Sequence, residues 1–145
     1  MSWERAKQDA ADGIAKALGL PVASGGLTPG MRAVLQVLSG KRFPLEDEKA
    51  TQAAIWAVLE ADAGTWKAAR EVPVAGGIID FVVGGTTGIE VKLKGSGVAI
   101  GRQLRGYAME PALTGLVLVT SKPVMVPRMM NGKPLAVVEM GRAWL

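Results

Sequence analysis

The fold is decided by residues 77–94, which read GIIDFVVGGTTGIEVKLK. Two apolar runs, residues 78–83 and 89–94, flank a turn of glycines and threonines over residues 84–88. Short runs of this kind, rich in β-branched residues and separated by glycines, predict two strands joined as a hairpin. We therefore expect a β-hairpin whose strands each carry charged side chains among apolar ones.

The alternation of side chains along a strand predicts which residues of the hairpin share a face. In the first strand, Ile79, Phe81 and Val83 are expected on one face, and Asp80 on the other. The charged residues of the second strand are likewise expected on one face, separate from its apolar residues. The polar face of each strand is thus available for chemistry.

The register of the hairpin decides whether its charged side chains meet. We expect Val83 to pair with Ile89 across the turn. Asp80 then lies opposite Lys92, with Glu90 diagonal to it on the same face. A slip of one residue would move Asp80 to the opposite face, so the convergence of two carboxylates and a lysine depends on this pairing.

Helical periodicity, caps and turn residues predict the elements around the hairpin. In chain order they are an amphipathic helix from Trp3 to Leu18, a short helix from Thr28-Pro29 to about Gly40, a helix from Leu45 to Ala63, a strand from Ala69 to Ala75, the hairpin, a helix from Gly97 to Glu110 capped by Ser96, a strand from Gly115 to Thr120, and shorter strands from Val124 to Met129 and Leu135 to Glu139 around an Asn131-Gly132 turn. This order predicts an α/β domain with a mixed central sheet flanked by helices. We expect residues 41–145 to form its main part and residues 1–40 an N-terminal helical arm, either within the same domain or at a dimer interface.

The composition limits the chemistry that this chain can perform. Its 145 residues include neither cysteine nor histidine, which removes disulfides, thiolate metal sites and the usual general base. Catalysis would therefore use carboxylates, lysine and metal-bound water. Two carboxylates beside a backbone carbonyl suit Mg²⁺ or Mn²⁺, and such an ion makes water a nucleophile and stabilises a phosphorane-like transition state.

The charge distribution favours an acidic partner. Residues 1–90 contain nine Lys and Arg against eleven Asp and Glu, whereas residues 91–145 contain eight against two. A basic half that begins beside the hairpin acids predicts DNA as the ligand, with RNA not excluded. The apolar runs are too short for a membrane helix and the first residues do not resemble a signal peptide, so we expect a cytoplasmic protein without a membrane partner.

The residues that carry these arguments also match a known family over about residues 45 to 120. Asp80 followed by Glu90-Val91-Lys92, within the predicted order of helix, three strands, helix and strand, resembles the PD-(D/E)xK nuclease superfamily. Residues 77–80 and 103–107 look like the G-x-x-D and Q-x-x-x-Y motifs of its RecB-like and Cas4-like members. The resemblance implies a restriction-endonuclease-like core and a Mg²⁺-dependent deoxyribonuclease that hydrolyses phosphodiester bonds with metal-activated water.

The resemblance also implies roles for individual residues. Its metal ligands correspond to Asp80, Glu90, the carbonyl of Val91 and an acid on the preceding helix, for which we favour Glu48 over Glu46 or Asp47. Lys92 corresponds to the catalytic lysine, and Gln103 and Tyr107 to residues that support the site; we group Gln103 with the catalytic residues. The expected nucleic-acid contacts are Lys94, Arg102, Arg105, Tyr107 and Lys122.

Two other functions fit the same residues. Holliday-junction resolvases share this core and size, which leaves a structure-selective resolvase acting as a homodimer open. A catalytically inactive nucleic-acid-binding protein that retains the fold is the other alternative. The chain lacks the cysteines that hold an iron–sulfur cluster in part of the RecB-like group, so direction of cleavage and substrate shape stay open.

Overall fold

The computed structural model describes residues 26–39, 41–61 and 66–140. Within them the elements are α1 Pro29–Leu38, α2 Glu48–Ala61, β1 Ala68–Val74, β2 Gly77–Val83, β3 Thr87–Lys92, α3 Gly97–Tyr107, β4 Gly115–Thr120, β5 Met129–Met130 and β6 Lys133–Glu139. The predicted helix from Trp3 to Leu18 lies outside the described residues. None of the helices in the described ranges has the length and apolar character needed to cross a membrane.

The strands form one six-stranded mixed sheet in the order β1-β2-β3-β4-β6-β5. Strands β3, β4 and β6 are parallel, while β1, β2 and β5 pair antiparallel at the two sides. All six residues of β4 are buried, as expected of a central parallel strand that is covered on both faces. The prediction of an α/β domain with a mixed sheet flanked by helices is confirmed at this level.

Helices α1 and α2 cover one face of the sheet, and α3 covers the other. The α1 helix begins as predicted, because Thr28 Oγ1 accepts a hydrogen bond from Met31 N at 3.1 Å and Pro29 occupies the first turn. Its side chains Val34 and Leu38 are completely buried in the same core as the sheet residues. Residues 27–38 therefore belong to the core of the sheet domain.

The segment before β5 is less regular than the sequence predicts. Of the expected strand from Val124 to Met129, only Met129 pairs with β6, while residues 121–128 form no strand. Pro123 and Pro127 explain the difference, because a proline has no N–H to donate to a ladder. The Asn131-Gly132 turn between β5 and β6 is confirmed, with φ angles of 49° and 75°.

The register of the β2–β3 hairpin differs from the prediction by two residues. Phe81 pairs with Ile89 and Val83 with Thr87, so Val83 does not face Ile89. The turn is shorter than expected because Gly84 and Gly85 both adopt positive φ, 62° and 73°, and reverse the chain at once. Because the shift is even, Asp80 comes level with Glu90 instead of Lys92, and the charged residues still converge.

The predicted alternation along β2 also fails at one point. Phe81 packs with the cluster beneath α1 and α2, whereas Ile79 packs with the cluster beneath α3, although the two residues are two positions apart. Residues at that spacing share a face in a regular strand. The side chains of β2 therefore reverse their orientation relative to the sheet at Asp80, a reversal that we call the crossing.

The side chains of β1 reverse their orientation at the same level of the sheet. Ala68 packs on the side of α1 and α2, while Val72 packs on the side of α3. Between them, Glu71 has φ 53°, which is unusual for a residue other than glycine, Asn or Asp. Strands β1 and β2 keep their pairing on both sides of this point, so both strands of the β1–β2 hairpin reverse together.

Candidate active site

The candidate site lies where β2 and β3 separate. Their backbone pairing ends at Phe81 and Ile89, and beyond that pair the acids connect the strands. Asp80 N donates to Glu90 Oε1 at 3.1 Å, and Val91 N donates to Asp80 Oδ2 at 2.8 Å. Each carboxylate thus takes the place of a hydrogen bond between the strand backbones. The two acids meet at this separation of β2 and β3, around Asp80, Glu90 and Val91, which we call the fork.

The orientation of Val91 places a backbone oxygen beside the same fork. A residue in a strand presents its N–H and its C=O to the same side. Because Val91 N points to Asp80, the carbonyl of Val91 also faces the β2 side. The predicted trio of Asp80, Glu90 and the Val91 carbonyl therefore shares one location.

Both carboxyl groups are held in an environment that disfavours their charges. Only 3% of the Glu90 side chain is exposed. Burial, followed by the charge of Asp80, raises the pKa of Glu90 to about 8. The pKa of Asp80 is raised as well, mainly by burial, although its hydrogen bond from Val91 N acts in the opposite direction. A cation bound between the two would relieve this cost.

Lys92 supplies the nearest positive charge. Its Nζ lies 3.9 Å from Glu90 Oε2, and 27% of its side chain is exposed. Lys92 and Glu90 are two residues apart on β3, which places both side chains on one face. The lysine lowers the pKa values of both acids but does not bring that of Glu90 back to its ordinary value.

Tyr107 reaches the fork from α3. Its hydroxyl lies 2.8 Å from the Ile78 carbonyl and 3.2 Å from Glu90 Oε2, and it accepts a hydrogen bond of 2.7 Å from Gln103 Nε2. The Tyr107 side chain, predicted both to support the site and to contact nucleic acid, is completely buried. Its hydroxyl connects Gln103 to Glu90.

Glu48 approaches from the first turn of α2. Its Oε1 accepts hydrogen bonds from Leu93 N at 2.8 Å and from Lys94 N at 3.4 Å, just past the end of β3. The Glu48 charge is also the smallest of the influences on the Asp80 carboxyl, whose pKa it raises. Asp47, one of the two alternatives, has a different role, because its Oδ1 caps α2 through Ala50 N at 2.8 Å.

The chemistry of these residues fits a hard divalent cation, although their present arrangement is not a finished coordination sphere. Carboxylate and carbonyl oxygens are the ligands that Mg²⁺ prefers. Across residues 26–39, 41–61 and 66–140, no group of three acidic side chains is arranged to hold a metal ion. Asp80, Glu90 and Glu48 each direct one oxygen to a backbone N–H.

The predicted phosphate contacts differ in their surroundings. Lys94, Arg102 and Arg105 have exposed side chains. Lys122 Nζ donates to the Gly95 carbonyl at 2.6 Å, in the loop between β3 and α3. Lys122 therefore fixes the loop that follows the site.

A groove beside Asp80 was not predicted from the sequence. It encloses about 130 Å³ between α2 and the β1–β2 hairpin and is lined by Lys49, Gln52, Ala53, Trp56, Arg70, Glu71, Asp80 and Phe81. The available signal was the spacing of Lys49, Gln52 and Trp56, which places them on one face of α2. The β1 side of the groove carries no comparable signal, because its residues meet α2 only through the fold.

Comparisons with known protein families, with curated proteins and with solved structures yield no match for this chain.

Proposed function

We propose that this protein is a Mg²⁺-dependent nuclease with a site of the PD-(D/E)xK type. The observation that carries the proposal is the position of Asp80, Glu90 and Lys92 at the β2–β3 fork. The two carboxyl groups are connected through strand backbone, and the lysine stands 3.9 Å from one of them. Buried acids placed side by side with raised pKa values are a common feature of functional sites, which supports the proposal.

Asp80, Glu90 and the Val91 carbonyl would hold the ion, and Glu48 would join them if its side chain turned from Leu93 N. When bound, Mg²⁺ lowers the pKa of a water ligand and stabilises charge on the phosphate. The chain itself contributes positioning, because Tyr107 holds Glu90 in place and Lys92 presents its ammonium beside the carboxylates. In this proposal Lys92 orients the attacking water or stabilises the negative charge that develops on the phosphate.

DNA is the proposed substrate. The exposed cations Lys94, in the loop before α3, and Arg102 and Arg105, on α3, lie in the basic part of the chain. Positively charged side chains near a phosphodiester site contribute affinity for any nucleic acid. The charge distribution does not discriminate DNA from RNA, so both belong in the test.

One observation favours a second candidate, a nucleic-acid-binding protein without catalysis. Oxygen atoms of Asp80, Glu90 and Glu48 are already satisfied by backbone N–H groups. Acids whose only role is to connect the strands would make the same hydrogen bonds to the backbone. Metal binding distinguishes the two candidates, because a purely structural set has no affinity for Mn²⁺.

The decisive experiment combines calorimetric titration with Mn²⁺ and cleavage of labelled linear, branched and single-stranded DNA and RNA. The parent is expected to bind Mn²⁺ and to cleave at least one substrate. Asp80→Asn should lose both properties, and Lys92→Ala should lose cleavage by a factor of about 100 or more while it retains Mn²⁺ binding. Lys67→Ala, which removes an exposed lysine outside the fork, is the control. Absence of Mn²⁺ binding and of cleavage across the panel would reject the nuclease.

A further inference from the structure

The groove between α2 and the β1–β2 hairpin holds a stack of three flat side chains that runs from the core to the surface. Phe81 is buried, with 2% exposed, and its ring is stacked on that of Trp56 with centroids 6.2 Å apart and planes inclined by 7°. The guanidinium of Arg70 lies over the Trp56 ring, 5.2 Å from its centroid. The stack ends at the exposed Arg70 side chain.

We propose that this groove binds one unpaired base of a single-stranded nucleic acid and places the adjoining phosphate at the fork. Unpaired bases stack on arginine guanidinium planes and on aromatic rings. The Arg70 guanidinium lies over Trp56, and Trp56 is stacked on the buried Phe81. A base at this end of the groove therefore meets side chains that already contact one another.

The groove is open to solvent and has a volume of about 130 Å³. A planar group can therefore enter it beside Trp56 and Arg70. The walls also provide polar groups for the edge and the backbone of a nucleotide. Gln52 offers an amide to a base edge, and Lys49, on the same face of α2, offers an ammonium to a phosphate.

The groove connects directly to the candidate active site through Asp80, which lines it and also binds Val91 N. Glu71 lines it as well, at the point where φ reaches 53° and the hairpin turns over. The groove thus exists because β1 and β2 cross between the faces of the sheet. Its two cations and two acids balance in charge, so stacking rather than net charge has to supply the preference for a base.

This inference rests on the proposed function in its choice of ligand, but it predicts binding that needs neither metal nor cleavage. The experiment is fluorescence anisotropy with a labelled oligothymidylate, in EDTA and at low salt. We expect Arg70→Ala and Arg70→Lys to weaken binding about tenfold, because lysine retains the charge but not the planar surface. Gln52→Ala should weaken binding less, by about threefold, and Arg42→Ala, which removes an exposed arginine outside the groove, should have no effect.

A blunt DNA duplex of the same length should compete at least tenfold less well than the single strand. A ribo-oligonucleotide in the same assay shows whether the groove also accepts RNA. Binding by Arg70→Lys that equals the parent's, or equal competition by the duplex, would overturn the inference. If the parent binds single strands as described but cleaves nothing, only the nuclease proposal fails. If the parent cleaves and the Arg70 variants bind single strands normally, only the proposal of base binding in the groove fails.

Discussion

Glu90 Oε1 accepts the backbone N–H of Asp80 at 3.1 Å, so an acid side chain completes the hairpin at the point where its ladder ends. The same carboxyl group is buried beside a second acid, which raises its pKa to about 8. The fold therefore retains a group that opposes folding whenever it is ionised.

Glu90→Gln is expected to stabilise the metal-free protein at alkaline pH. The folded-state pKa of about 8 exceeds the ordinary value of 4.5, so the folded protein holds a proton that the unfolded chain releases. The stability that the protonated Glu90 carboxyl contributes is fully present below about pH 4.5 and is lost as the pH rises to 8. At pH 8.5 the variant should exceed the parent by on the order of 1–3 kcal/mol, and at pH 4 the two should agree.

Urea unfolding in EDTA at both pH values measures this difference. Glu60→Gln, which changes an exposed acid on α2, is the control and should be neutral at both. The same Glu90→Gln protein is expected to lose Mn²⁺ binding in calorimetric titration. A variant that is less stable than the parent at pH 8.5 contradicts the assignment of strain to the Glu90 charge.

Two substitutions at Glu48 separate its structural role from its role toward a metal. Glu48→Gln keeps a side-chain oxygen that can accept from Leu93 N, so stability should change by less than about 0.5 kcal/mol. Glu48→Ala removes the acceptor and should cost about 1–2 kcal/mol, measured by urea unfolding. Both should weaken Mn²⁺ binding at least tenfold. Normal Mn²⁺ affinity in Glu48→Gln would limit Glu48 to its backbone contacts.

Tyr107→Phe tests whether the tyrosine positions Glu90. The variant leaves the Ile78 carbonyl and the Gln103 amide without their partner, which should cost about 1–2 kcal/mol in unfolding. It should also lower Mn²⁺ affinity by about 10- to 100-fold, the range seen when support of a ligand is lost. Gln103→Ala should have the smaller effect in both measurements. Reduced stability with unchanged Mn²⁺ affinity would make Tyr107 a purely structural residue.

Gly76→Ala should be among the most damaging single-methyl substitutions in the hairpin. Gly76 has φ 84°, and a Cβ there would lie 2.7 Å from the backbone of Gly106 in α3. We expect a loss of about 3–4 kcal/mol in urea unfolding. Gly84→Ala is the matched control, because Gly84 has φ 62° with nothing within 4 Å of a Cβ, and should cost about 1 kcal/mol. Equal losses would show that contact with Gly106 contributes nothing.

The parts of the fold that followed from the sequence are those fixed by local chemistry. Thr28-Pro29 and Ser96 begin their helices as expected, because a capping hydroxyl acts on N–H groups only a few residues away. The bounds of β4 were also correct, because a short run rich in leucine and valine between turn residues favours a buried strand.

The convergence of the charged residues on β2 and β3 was predicted, but the strand pairing that produces it was not. Asp80, Glu90 and Lys92 converge, yet the pairing that brings them together is shifted by two residues, because the Gly84-Gly85 turn is tighter than its length suggested. The positive φ of Glu71 has no sequence signal, since glutamate seldom adopts it. Because the sequence gives no sign of this reversal, it predicts neither the position of Ile79 nor the groove beside Arg70 and Trp56.

The β1–β2 hairpin is divided at Glu71 and Asp80 into a base and a tip that pack differently. The base packs with α1 and α2 through Phe81 and Val83 and on the α3 side through Val82, whereas the tip packs only on the α3 side. The tip is attached there by hydrogen bonds from Ala75 N to Glu110 at 3.1 Å and from the Tyr107 hydroxyl to the Ile78 carbonyl at 2.8 Å. Amide hydrogens at the tip should therefore exchange with solvent together with those of α3, and separately from those at the base of the same strands. The fork that holds the acids lies on the boundary between the base and the tip, where a local opening of α3 would loosen Glu90 while the rest of the sheet stays folded.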